Sequence, residues 1–154
     1  MAVIELRTHI HAPIAICFDA ARDIDLHQAS TSDTRERAIA GRTSGVCEAG
    51  DRITWEAIHF GMRQQLTVEI TAMEAPFHFE DRQVKGRFRS MVHKHSFEET
   101  NGVTMMSDHF AYETPFWPLG VLFDTLVLKR YMTRFLEKRN AVLKQIAEER
   151  ARAQ

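Results

Sequence analysis

Five polar residues fall where a period-two pattern otherwise places apolar ones: His59, Asp81, His93, His95 and Asp108. An imidazole titrates near neutral pH, and a carboxylate beside it can hold its charge or fix its tautomer. Their spacing lets the strand register be estimated. A tight turn near Gly86–Arg89 sets Asp81 opposite His93 or His95, and a reversal at Thr100–Gly102 sets Asp108 beside His93 or His95. Directly opposed residues in antiparallel strands lie about 5 Å apart. The pattern therefore predicts an Asp–His–Asp row across three neighbouring strands, provided that no one-residue bulge intervenes.

Such a row admits three uses. It can orient the polar end of a ligand or move protons, in which case Asp81, His93, His95 and Asp108 are the catalytic groups of an enzyme. It can be a self-satisfied structural network, because buried carboxylates need partners and imidazoles supply them. Two His and two Asp can also bind zinc or iron. His93-Lys94-His95 is, however, an ordinary strand spacing, so neither a metal nor another cofactor is expected.

The elements that must position these groups follow from periodicity. Val3 to His11 alternate and read as a half-buried strand; Pro13 then suits the first turn of a helix running to about Arg22. A second short helix is expected at Ile24 to Ala29. From Arg35 to Glu113 the period is two, giving strands Arg35–Ala40, Arg52–Phe60, Arg63–Met73, Phe77–Lys85, Met91–Glu99 and Val103–Glu113. Gly86 and Asn101-Gly102 are hairpin signals, and short turns throughout predict an antiparallel meander. The loop with Gly41, Gly45 and Gly50 joins strand to strand, so it reads as a hairpin rather than a phosphate cradle.

After Pro115 and Pro118 the period becomes helical. Leu119, Leu122, Leu126, Met132, Phe135, Val142, Leu143 and Ile146 form one apolar stripe, with Lys and Arg on the opposite, solvated face. Tyr112, Phe116, Trp117 and Phe123 cluster where the last strand meets this helix, as an apolar plug or a lid.

Composition excludes several classes. With 154 residues, 44% hydrophobic and 27% charged, the chain is expected to be a single globular domain, 1–154. A net charge of −1 offers no general attraction for nucleic acid. Cys17 and Cys47 lack disulfide-scaffold or metal spacing. The alternating N-terminus does not read as a signal peptide, and Pro118 to Leu128 is too short for a membrane span, so a cytoplasmic location is expected. No nucleophile elbow appears.

The order of a strand, two short helices, six antiparallel strands and a long C-terminal helix resembles the helix-grip fold of the START and birch-pollen-allergen (SRPBCC) superfamily. The phrases HAPIAICFD, GDRITWEAIHFGMRQQLTVEIT, FEDRQVKGRFR, HKHSFEE and YETPFWPLG are similar to one bacterial branch of it. The resemblance implies an α+β domain with a seven-stranded curved sheet around the long helix and a cavity between them. It further implies a small lipophilic ligand: a lipid, quinone, polyketide or aromatic. The chain is too short for the iron-containing version found in ring-hydroxylating oxygenases. The expected ligand contacts are Trp55, His59, Phe79, Met91, His93, His95, Met106, Phe110, Tyr112, Trp117 and Phe123. The alternative is a cyclase, aromatase or dehydratase using the Asp/His row. A third reading is an interaction module or homodimer.

Overall fold

The computed structural model describes residues 1–115 and 118–154. Strand β1 (Ala2–Ile10) leads into α1 (Ile14–Ala21), which starts directly after Pro13, whose fixed φ suits a helix entry. The first turn of α1 is held from a distance: the Ile14 amide donates to Glu99 Oε2 at 2.8 Å. Helix α2 (Ile24–Ser30) is capped by Asp23, whose side chain accepts from the Leu26 amide at 3.1 Å. Both short helices are amphipathic and bury Cys17, Phe18, Ile24 and Leu26.

The next strands are β2 (Arg37–Gly41), β3 (Arg52–His59), β4 (Met62–Glu74), β5 (His78–Lys85), β6 (Ser90–Thr100) and β7 (Val103–Glu113). They form one seven-stranded antiparallel sheet in the order β1-β7-β6-β5-β4-β3-β2. β1 closes the meander onto β7. Register shifts occur in the β2–β3 and β4–β5 pairs, where an extra residue bends the sheet. Pairs β5–β6 and β6–β7 run without a shift. Asn101 and Gly102 both take positive φ, 52° and 78°, in a two-residue turn that fixes Thr100 opposite Val103. The same register then sets His95 opposite Asp108, and the β5–β6 register sets Asp81 opposite His93.

Helical structure resumes at α3 (Leu119–Phe123), passes through a π-helical turn (Asp124–Leu128) and continues as α4 (Lys129–Arg152). α4 buries Met132, Leu136, Arg139, Asn140, Leu143 and Ala147 along one face. The expected apolar stripe fails upstream of it: Leu119, Leu122 and Leu126 are 72%, 57% and 67% exposed. A π turn accommodates one extra residue, so a face extrapolated at constant spacing rotates away from the sheet. Phe77, expected as the first residue of that strand, lies outside β5 and is exposed. Among the described residues no helix is long and apolar enough to cross a membrane.

Two apolar clusters result. One packs Phe18 of α1 and Leu143 of α4 against Phe79, Phe97 and Met106 of the sheet. The other, around Trp55, Ile70, Phe110 and Leu136, surrounds a cavity. Phe18 meets Phe79 and Phe97 edge to face, with centroids 5.7 and 5.5 Å apart. Phe18→Ala should lower unfolding free energy by about 3–5 kcal/mol in urea titrations, as expected for a buried aromatic. A loss under about 1 kcal/mol would mean that α1 is not clamped on the sheet.

Candidate ligand cavity and its polar wall

Curvature of the sheet and the face of α4 enclose a cavity of about 1040 Å³. This is the size of a small-molecule site. Of the expected contacts, Trp55, His59, Phe79 and Met91 line it, as do His93, His95, Phe110 and Phe123. Cys47, also on the wall, has its thiol pushed up to about 12, chiefly by burial, so it acts as an apolar group.

Two expected contacts are corrected. Met106 shares the inner face of the sheet, but α1 and α4 cover that end, and it packs with Phe18 and Leu143. Tyr112 is fully buried in the cluster around the cavity without lining it, and its hydroxyl donates to Asp124 Oδ1, tying β7 to the π turn. Trp117 and Phe116 lie outside the described residues. Of the methionines, Met62, Met91 and Met132 line the cavity, whereas Met106 packs in the cluster beneath α1 and α4.

At the mouth, His59 Nδ1 and Tyr131 Oη are 2.7 Å apart, linking β3 to α4. Burial holds the His59 pKa below its usual value. Beside them, Phe60 packs on Tyr131 and Phe123 with centroids 4.5 and 5.7 Å apart.

The polar wall is built around Asp108. His93 Nε2 lies 2.8 Å from Asp108 Oδ1, and Asn140 Nδ2 donates to Oδ2 at 2.7 Å. Arg139 Nη2 donates to Oδ1 at 3.4 Å. His95 Nδ1 lies 3.1 Å from the same oxygen as an ion-pair contact, outside hydrogen-bond alignment. On its other edge His95 Nε2 is 3.4 Å from Asp81 Oδ1. The His93 and His95 rings lie 3.9 Å apart, and Phe79 stacks on His95 at 4.2 Å. Asp108 itself does not line the cavity; the histidines and Arg139 stand in front of it.

Arg139 and Asn140 belong to this wall although the sequence reading does not single them out. Arginine on α4 is expected on the solvated face, and Arg139 is 5% exposed. The signal is present: Leu136, Arg139, Asn140 and Leu143 stand at the three- and four-residue spacing of one helix face.

Electrostatics separates the two histidines. Burial, reinforced by the charge of His95, pushes the His93 pKa down to about 4 against the pull of Asp108. Burial also opposes charge on His95, but Asp108 and Asp81 on its two edges outweigh this and raise its pKa. Burial would raise both carboxylates. Contacts with the histidines and the nearby Arg139 charge instead hold Asp81 low and Asp108 well below the usual range.

Asp81, His93 and His95 each offer a ligand atom within 4.8 Å of the others, so they are the group that could hold a metal ion among the described residues. The Arg139 guanidinium, 3.4 Å from Asp108, opposes a cation in that cluster.

The unfolded chain takes up the His93 proton near 6.5, the folded chain only near 4. Stability from this residue is therefore complete above 6.5 and is lost as pH falls through that window, at up to about 1.4 kcal/mol per pH unit. His93→Gln should flatten the stability profile between pH 6.5 and 4 relative to the parent. Parallel denaturation curves for the two proteins would show that His93 titrates normally.

No family model matches the chain, and no curated protein matches it. Solved structures do. The Thermus thermophilus protein TTHA0849 superposes with a TM-score of 0.78 at 16% identity, over 95% of this chain and 97% of that one. A START superfamily protein from Mycobacterium smegmatis gives 0.72 at 11% identity, over 96% and 97%. The major latex-like protein 151 of Panax ginseng gives 0.64 at 14% identity, over 95% and 97%. At these identities the likeness is one of architecture, and the chain has the helix-grip fold that START and major latex-like proteins share.

Proposed function

We propose that the protein binds a small lipophilic ligand between its sheet and α4, with the Asp/His wall orienting the ligand's polar end. The supporting observation is the cavity itself: about 1040 Å³, apolar over most of its lining, with the Asp81, His93, His95 and Arg139 cluster among its polar groups. Apolar contact supplies the driving force, and a few fixed polar groups supply orientation. Native mass spectrometry of freshly purified protein, followed by solvent extraction, tests this. A stoichiometric lipophilic compound, or uptake of one neutral fluorophore per chain, is expected. A bare polypeptide mass together with no fluorophore uptake would sink the proposal.

A second reading, an acid–base enzyme of the cyclase or dehydratase kind, is favoured by one feature. His93 is held neutral on the cavity wall by burial, and it is oriented by the same carboxylate that pairs with His95. A neutral, oriented imidazole is a competent general base. On this reading His93→Ala lowers turnover of the extracted compound by about a hundredfold or more while its affinity changes little. Equal turnover by parent and variant would remove His93 as the base, and no turnover by the parent would leave binding as the function.

A further inference from the structure

The hydrogen-bonding capacity left over on the polar wall specifies the ligand's head group. Asp108 is ionised and can only accept, so His93 Nε2 must donate to it. With His93 neutral, its Nδ1 is then a bare acceptor. That nitrogen has no partner among the described residues and belongs to a residue on the cavity wall. Asp81 adds a second acceptor: its carboxylate lines the cavity, and its near partner is His95 Nε2 at 3.4 Å. Arg139 adds a donor. Its Nε is used on Asn140 Oδ1 at 3.3 Å and its Nη2 on Asp108, which leaves Nη1 without a partner among the described residues. The wall thus presents two acceptors and a donor.

Charge narrows the choice further. Both edges of His95 face carboxylates, a position for a protonated ring. The patch already pairs each carboxylate with a group that answers it, Asp81 and Asp108 with His95 and Asp108 also with Arg139. A charged head group would add an uncompensated charge beside a largely apolar lining, which is costly. A carboxylate also cannot donate and meets Asp81; an ammonium cannot accept and meets Arg139.

We infer that the cavity selects a lipophile bearing a neutral hydroxyl (alcohol, phenol or enol), which donates to His93 Nδ1 or Asp81 and accepts from Arg139. This rests on the lipophile-binding reading above and adds the head-group class to it.

The test uses four probes of matched chain length: decanol, nonyl methyl ether, decanoate and decylammonium. Each displaces a bound neutral naphthylamine fluorophore at neutral pH. Decanol should bind about tenfold or more tighter than the ether, which cannot donate, and than either ion, as a hydrogen bond to a charged partner implies. Asp81→Asn removes one negative charge and should move the ranking toward decanoate by about tenfold, a shift that a purely structural Asp81 would not give. Should that variant fail to fold, His93→Gln serves, and it should reduce the margin of decanol over the ether. A parent protein that prefers decanoate or decylammonium, or that binds ether and alcohol alike, overturns the head-group inference while leaving lipophile binding intact. A fluorophore that never binds overturns both.

Discussion

Asp108 is a carboxylate whose side chain has no exposed surface, and the centre of the molecule is arranged around neutralising it. An isolated ion in that position would cost several kcal/mol. Four side chains surround it, His93 and His95 from β6 and Arg139 and Asn140 from α4. Sheet and helix are thereby joined by polar contacts at one place, with apolar packing around it. Removing any one partner leaves a buried charge short of its complement, which is why such a cluster is costly to break.

This arrangement divides the inner face of the sheet. On one side of the row, Phe18, Phe97, Met106 and Leu143 fill the space beneath α1 and α4. On the other, the sheet curves away through the register shifts of β2–β3 and β4–β5, and the space stays open as the cavity. The row therefore sits at the boundary between core and cavity. Its back is spent on structure and its front faces the cavity. The structural-network and ligand-orienting uses of these residues are compatible, because different atoms carry them. Asp108 is consumed by its partners, whereas Asp81 and His93 retain free capacity.

The strand part of this was legible because the side-chain period of a strand is fixed and its turns carry their own signals. Asn101-Gly102 set the β6–β7 register, and the compact reversal near Gly86 set that of β5–β6. Asp81, His93, His95 and Asp108 could thus be placed in one row before any contact was known. The helix was harder to read. A π turn interrupts the 3.6-residue period at Asp124–Leu128, so the face of Leu119, Leu122 and Leu126 could not be carried over from α4. Arginine is also a surface residue by default, and only the partner beneath it accounts for a buried one.

The amino-acid order alone determined the seven strands, the meander of the last six, the two short helices, the long C-terminal helix and the polar row. Each of these is a local pattern repeated at a fixed spacing. Only the tertiary structure decided which of those residues meet open space. Met106 and Phe110 alternate identically along β7, yet one is covered by α1 and α4 and the other faces the cavity. It likewise decided that Arg139 and Asn140 complete the site, because the packing of α4 on the sheet brings residues 31 and 32 positions from Asp108 within hydrogen-bonding distance of it. Periodicity assigns a residue to a face; what lies against that face is set by how the curved sheet and the helix close on each other.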